Sequence, residues 1–209
     1  MPQTHLRPLL ALMLTALLAW LPINADAAPA PKPKKTESEL ISMLRSSDYQ
    51  TAIDALDRLP IWYPNSTIAV LEIRQLLRST VNQRGVPKNI LSRKAARALG
   101  NYGATLGEDD LKVFVGFIRS SDIDDVMDGL KALRGLKQSP DTERKLCAEI
   151  VLLLKDKEIH VVRDAMRTLG ALGNKDVIPA LEPFLKHMRL DVKRDAREAI
   201  AAIQKKEAK

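Results

Sequence analysis

IHVVRDAMRTLGAL, residues 159–172, is the stretch whose spacing decides the fold. Its apolar residues return at intervals of about one helical turn: Ile159, Val162, Ala165, Met166, Leu169 and Leu172. This spacing places them along one stripe of an amphipathic helix, while Arg163, Asp164 and Arg167 fall off the stripe. A helix with one apolar stripe needs another element to cover it, so the rest of the chain must supply that element.

The same register returns at four other places, where a small residue is followed four positions later by an aliphatic residue. The five pairs are Ala52 with Leu56, Ala95 with Leu99, Gly129 with Leu133, Ala165 with Leu169, and Ala196 with Ile200. Successive small residues lie 43, 34, 36 and 31 positions apart, and steps of this size are typical of stacked repeats. A small side chain lets a neighbouring helix approach closely, so we expect these pairs to form the repeat core.

Another apolar segment precedes each of these copies, and together they predict helix-turn-helix units with a first and a second helix. The predicted first helices are Ser38–Arg45, Ile68–Ser79, Glu108–Arg119, Asp141–Lys155 and Lys175–His187. One pair of helices cannot bury its own apolar surface, but stacked pairs share a continuous core. The sequence therefore predicts an all-α fold, an α-solenoid of about five stacked repeats over residues 37–204.

The repeat units contain a motif that is known from other proteins. Residues 162–165 read VRDA, Leu169-Gly170 follow, and residues 174–181 read NKDVIPAL. This arrangement resembles the short HEAT-like repeat of the type also found in phycobilin lyases. The resemblance implies a right-handed superhelix with the second helices on its concave side. It also implies that the chain binds another macromolecule, and it transfers no catalytic residue.

The two ends of the chain differ in composition from the repeats. Residues 1–27 have the pattern of a secretory signal peptide, with an apolar run at Leu9–Leu21 and small residues before a cleavage site after Ala27. A retained membrane anchor is the alternative, although the run is short for a bilayer span. Residues 28–36 form a proline- and lysine-rich linker, and residues 205–209 form a basic tail. We therefore predict an exported protein, periplasmic or secreted.

The charge of the chain is basic overall but is concentrated at its ends. The formal net charge is +7, whereas residues 37–204 carry 26 basic and 24 acidic residues. Residues 72–97 are mainly basic and residues 108–128 mainly acidic, which either offers a charged surface to a partner or neutralises one segment with the other. Nucleic acid is therefore not the expected partner, although the tails keep an acidic polymer as an alternative.

One register position suggests a binding surface on the second helices. Arg97, Lys131 and Arg167 occupy the same position in three successive repeats and should form a row of positive charges, here called the cation ladder. Arg93 and Arg163 flank it. The ladder suits a partner with carboxylates or phosphates, but its members can equally serve the structure. For Arg163 we expect a structural ion pair with Asp156 or Glu158.

A second candidate surface lies in the insert PIWYPNS, residues 60–66, between the first two repeats. Trp62 and Tyr63 are residue types that dominate the binding energy of many protein interfaces. They are therefore candidate binding residues. The alternative is that they cover the end of the core and close the first repeat.

We find no arrangement that predicts catalysis, a metal site or a cofactor. His160 and His187 stand alone, and the aspartates around Asp122 do not have the order of a calcium loop. Cys147, the single cysteine, lies among aliphatic residues and is expected in the core. The sequence thus favours a non-enzymatic scaffold that binds an envelope protein or peptide through its second helices. Binding of an acidic polymer and a relative of HEAT-like lyases or glycosylases are the alternatives.

Overall fold

The computed structural model describes residues 35–208, and ten α-helices make up most of this part of the chain. The first helices of the five repeats are α1 (Glu37–Leu44), α3 (Thr67–Ser79), α5 (Glu108–Ile118), α7 (Pro140–Leu152) and α9 (Ile178–Leu181). The second helices are α2 (Tyr49–Trp62), α4 (Ile90–Asn101), α6 (Ile123–Leu133), α8 (Ile159–Leu172) and α10 (Leu190–Glu207). The prediction of an all-α solenoid of about five helix-turn-helix repeats is confirmed.

The helices begin where the sequence supplies a side chain that can accept their free N–H groups. Thr36 forms a capping box with Glu39 at the start of α1, and thus ends the predicted linker as a helix cap. Asp48 and Asn89 cap α2 and α4 in the same way, each accepting from two backbone N–H groups. Asp48 stands in the short turn between α1 and α2, whereas Asn89 ends the longer loop between α3 and α4.

The second helices pack in order along the chain, α2 against α4, α4 against α6, α6 against α8 and α8 against α10. Small residues permit this close approach: a Cβ on Gly100 would stand 2.6 Å from the carbonyl oxygen of Ala132. The predicted core residues Ala52, Leu56, Ala95, Leu99, Leu133, Ala165, Leu169 and Ala196 are all buried. Ile200 is only partly buried, because no further repeat follows α10 in the described chain to cover it.

Two predicted segments differ from the structure, and both contain proline. Helix α2 continues through Pro60 to Trp62, so the insert begins inside a helix. The predicted helix Lys175–His187 is divided into a 3₁₀ turn, the short α9 and a second 3₁₀ segment, since Pro179 and Pro183 have no N–H to donate.

The predicted basic tail begins inside a helix. Helix α10 extends to Glu207, and the ammonium group of Lys206 donates to the carbonyls of Ala171, Leu172 and Gly173 at the end of α8. The predicted signal peptide, its cleavage site after Ala27 and the linker before Lys35 lie outside the described residues. Among the helices of residues 35–208, none combines the length and hydropathy needed to cross a bilayer.

Candidate binding surface on the second helices

The cation ladder lies on the exposed side of the second helices, and two of its members are held by carboxylates. Arg97 lies 3.6 Å from Asp128 of the next repeat. Arg167 lies 3.1 Å from Asp195 of the next repeat and 3.2 Å from Asp164 on its own helix. Lys131 is exposed, and no ion pair within residues 35–208 involves it. Two of the three cations of the ladder are therefore neutralised by carboxylates, and the ladder is not an open positive stripe.

The carboxylates that pair with the ladder share a register position that the sequence reasoning missed. Asp128, Asp164 and Asp195 each stand one residue before the small core residue of their repeat. Asp164 and Asp195 are buried, at 3% and 2% exposure. A cation of one repeat reaches the aspartate of the next repeat, so these ion pairs hold neighbouring repeats together. Aligning the repeats and comparing the charged residues at equivalent positions could have revealed this pairing.

Arg163 has a structural role, but the predicted partners were wrong. Its guanidinium lies 2.6 Å from Asp195 and 2.9 Å from Asp191, both in the last repeat, and not against Asp156 or Glu158. The hydrogen bond to Asp195 raises the pKa of the Arg163 guanidinium above its usual range.

Arg93 faces the acidic start of α6. Its guanidinium lies 3.2 Å from Asp124 and 3.9 Å from both Asp122 and Asp125. Burial raises the pKa of the Asp125 carboxyl, which accepts a hydrogen bond from the Ser120 hydroxyl at 2.8 Å. Within residues 35–208 these aspartates do not form a cluster that could hold a metal ion. These aspartates form the start of α6 and neutralise Arg93 of the preceding repeat.

The basic and acidic segments also meet on the side of the first helices. Arg74 and Arg78 of α3 each lie 2.8 Å from the buried carboxylate of Asp110 in α5. Together with the pairs of Arg93 and Arg97, this contact joins residues 72–97 to residues 108–128. The two charged segments thus neutralise each other across the interface between repeats, which is the second of the two readings that the sequence left open.

Trp62 and Tyr63 are half-buried and pack against the core at the N-terminal end of the array. The Arg58 guanidinium lies over the Trp62 ring, 5.0 Å from its centroid. The Tyr63 hydroxyl donates to the carbonyl of Lys35 at 2.9 Å, and Ser66 bonds to Glu37. These contacts favour the role of a cover for the first repeat. A binding role for the two aromatic residues stays a prediction.

A groove of about 450 Å³ separates α7 from the segment around α9, and Cys147 contributes to its wall. The thiol is buried, and burial raises its pKa to about 11. A thiol that stays protonated is a poor nucleophile and a poor metal ligand, so Cys147 behaves as a core residue.

The stacked helix pairs and the small residues between them define the chain as an α-solenoid of HEAT-like repeats. The sequence profile of the PBS lyase HEAT-like repeat matches residues 161–187, which lie in the fourth and fifth repeats. The resemblance noted in the sequence is therefore confirmed for this segment. No curated protein matches the chain.

Several solved structures share the fold. One is the complex of CpcE and CpcF of phycocyanin lyase from Nostoc sp. PCC7120, with a TM-score of 0.60, 24% identity, 88% of this chain covered and 71% of that one. An engineered protein has a TM-score of 0.54 and 19% identity, with 79% and 78% covered. A computationally designed armadillo repeat protein for modular peptide recognition has a TM-score of 0.50 and 16% identity, with 79% and 81% covered. At these identities the likeness describes the fold.

Proposed function

We propose that this protein is an exported, non-enzymatic scaffold that binds an envelope protein or peptide through the surface of its second helices. The observation that carries the proposal is the continuity of that surface. Helices α2, α4, α6, α8 and α10 pack side by side, and ion pairs between repeats hold them in place. A rigid surface made of several parallel helices is the usual means by which solenoids recognise other chains.

The pairing of the cations favours a protein partner over an acidic polymer. A polymer with many phosphates or carboxylates gains affinity by releasing counterions from unpaired cations. Arg93, Arg97, Arg163 and Arg167 already face carboxylates, and partner binding would have to break those pairs. A protein with both charges and apolar side chains can instead match the surface as it stands.

The similar structures supply a further argument for binding. One was solved as a complex of two proteins, and another belongs to a protein designed for peptide recognition. Because the first of these structures belongs to a phycocyanin lyase, lyase activity is the alternative function. A lyase would attach a chromophore covalently to an acceptor protein, so the acceptor's mass would increase in its presence. Under the scaffold proposal, incubation with chromophore and acceptor leaves the mass of the acceptor unchanged.

The experiment that tests the proposal is affinity capture with residues 28–209 from an envelope extract. A variant with Arg97→Ala and Lys131→Ala removes two exposed cations of the second helices. A control with Lys145→Ala and Lys186→Ala removes two exposed cations of the first-helix side, with the same change in net charge. We expect one enriched protein, less of it with the second-helix variant and no change with the control. Equal losses with both variants, or no enriched protein, would overturn the proposal.

A further inference from the structure

Exposed apolar side chains occur at the same position in almost every repeat. In the described chain ten large apolar residues are exposed, and four of them, Tyr49, Ile90, Ile123 and Leu190, are the first residue of a second helix. Their exposures are 55%, 44%, 46% and 79%. The remaining second helix, α8, begins with Ile159, which is partly buried. We call these five residues the N-terminal row.

The fold does not require this pattern. The core of each second helix is formed by residues further along, and a helix start is a position where polar residues are normally favoured. Four of the five first helices begin with residue types that suit a helix start: α1, α3 and α5 with the polar Glu37, Thr67 and Glu108, and α7 with Pro140. The short first helix α9 also begins with an apolar residue, Ile178, but that side chain is partly buried. Within residues 35–208, the exposed large apolar residues that start a helix therefore all belong to the second helices, the set that stacks in an unbroken series. Exposing them works against solubility unless something covers them.

The members of the row are close enough to act together. The Asn89 side-chain amide, one residue before Ile90, lies 3.5 Å from the Tyr49 hydroxyl, so the starts of α2 and α4 are in contact. Packed helices lie about 8–10 Å apart, which makes the row about 40 Å long over its four steps. The apolar side chains thus follow one edge of the array at nearly regular intervals.

The surroundings of the row are acidic, in contrast to the chain as a whole. Within two residues of its members the sequence has six carboxylates and three cations. The carboxylates are Asp48, Asp122, Asp124, Asp125, Glu158 and Asp191, and the cations are Lys88, Lys157 and Arg189. Asp191 is paired with Arg189 and with Arg163, each at 2.9 Å, so the excess negative charge of the row lies around Ile123. At the centre of the row, Arg93 of the preceding repeat faces the three carboxylates of Asp122, Asp124 and Asp125, so the charge there stays negative. The side chains of Asp122 and Asp124 are 59% and 77% exposed.

We propose that the N-terminal row binds an amphipathic helix of a partner protein, with one apolar residue in every seven and Lys or Arg beside them. A helix rises 1.5 Å per residue, so seven residues span about 10.5 Å, close to the spacing of the repeats. An extended strand places side chains of one face about 6.7 Å apart and would miss alternate positions. The flanking cations of the helix would meet the carboxylates around Ile123.

This inference depends on the proposed function only in requiring a protein partner, and it assigns a different surface. The probe is a synthetic helical peptide of about 28 residues, with leucine at every seventh position and flanking lysines. Its binding to residues 28–209 is measured by fluorescence anisotropy. A second peptide has the same composition with the leucines redistributed.

The row variant is Ile90→Ser with Ile123→Ser. The control, Ile68→Ser with Leu71→Ser, removes two similarly exposed apolar side chains, at 59% and 61%, from α3. Because each isoleucine of the row has about half a side chain left to bury, we expect the row variant to bind about tenfold more weakly. The control should stay within about twofold, and the redistributed peptide should bind the wild type at least about tenfold more weakly.

Three results would overturn the inference: equal affinity of both peptides, equal losses in both variants, or no peptide binding but binding of the row to anionic lipid vesicles. The capture experiment separates this inference from the proposed function. If the enriched protein is lost with the Arg97 and Lys131 changes but kept by the row variant, the scaffold function stands and the row is not its docking site.

Discussion

The substitution Asp195→Asn tests whether the ion pairs between repeats stabilise the array. Asp195 is 2% exposed, and its carboxylate is held by Arg163 at 2.6 Å and Arg167 at 3.1 Å. Asparagine has nearly the same shape but no charge, so the change removes the charge with little effect on packing. The affected contact joins α8 to α10, the last two second helices.

The expected loss of stability depends on the carboxylate partners that each arginine retains after the substitution. Removing one partner of a fully buried ion pair costs about 3–5 kcal/mol, because it leaves an uncompensated charge. Here Arg163 retains Asp191 at 2.9 Å and Arg167 retains Asp164 at 3.2 Å. The side chains of Arg163 and Arg167 are 16% and 43% exposed, so water can solvate them in part. We therefore expect a loss of about 2 kcal/mol in the free energy of unfolding, close to one or two charged hydrogen bonds.

The assay is urea unfolding followed by circular dichroism, with Glu198→Gln as the matched control. Glu198 lies on the same helix, is 68% exposed and only reaches Arg194 at 3.9 Å, so its change should matter by less than about 0.5 kcal/mol. A thermal melt of the Asp195 variant should shift down by about 4–8 °C for a domain of this size. If Asp195→Asn is as stable as the control variant, the pairs do not hold the repeats together and the reasoning fails.

Three other changes probe packing, burial and the C-terminus. Gly100→Ala should lower the free energy of unfolding by about 1–2 kcal/mol, because the clash of the new Cβ with the Ala132 backbone costs more than the gain in helix propensity. A thermal melt measures this loss, and an unchanged melting temperature would contradict the close approach of the two helices. Cys147, whose pKa burial raises to about 11, should resist a thiol reagent at about pH 8, where only about one thiol in a thousand is ionised, and should react quickly in urea. Fast labelling of the native protein would show that the thiol is accessible. Deleting residues 205–209 should cost about 1 kcal/mol in urea unfolding, since Lys206 closes the end of α8; no loss would restore the prediction of a separate tail.

The sequence was sufficient for the fold because repeat packing depends on residue size and periodicity, which are local properties. The small residues Ala95 and Ala165 and the aliphatic residues four positions later identified the core of each second helix. The same spacing predicts a core position at Ile200, but this residue is only partly buried, because burial there depends on a helix packed against α10. The helix limits near Pro60 and Pro179 were also missed. A proline is tolerated in a helix only where the carbonyl that would accept its missing N–H finds another partner, and the sequence does not show this.

The candidate site was harder to predict because it depends on pairs of residues far apart in the chain. Arg163 was expected to pair within its own turn, yet its partner Asp195 is 32 positions away. Side-chain direction and burial decide this choice, and neither can be read from one repeat alone. The aspartate before the small core residue of the last three repeats was visible in the sequence, but its role depends on the stacking distance between helices.

The measurement that tests the scaffold proposal most directly is the salt dependence of partner release from immobilised residues 28–209. The dissociation rate of the captured protein is compared at about 50 mM and about 500 mM salt, where the screening length falls from about 14 Å to about 4 Å. Because four arginines of the second helices, Arg93, Arg97, Arg163 and Arg167, are already paired, we predict one defined partner whose dissociation rate rises less than about fivefold. Release that accelerates by orders of magnitude, with no single protein enriched, would contradict the proposal and favour an acidic polymer.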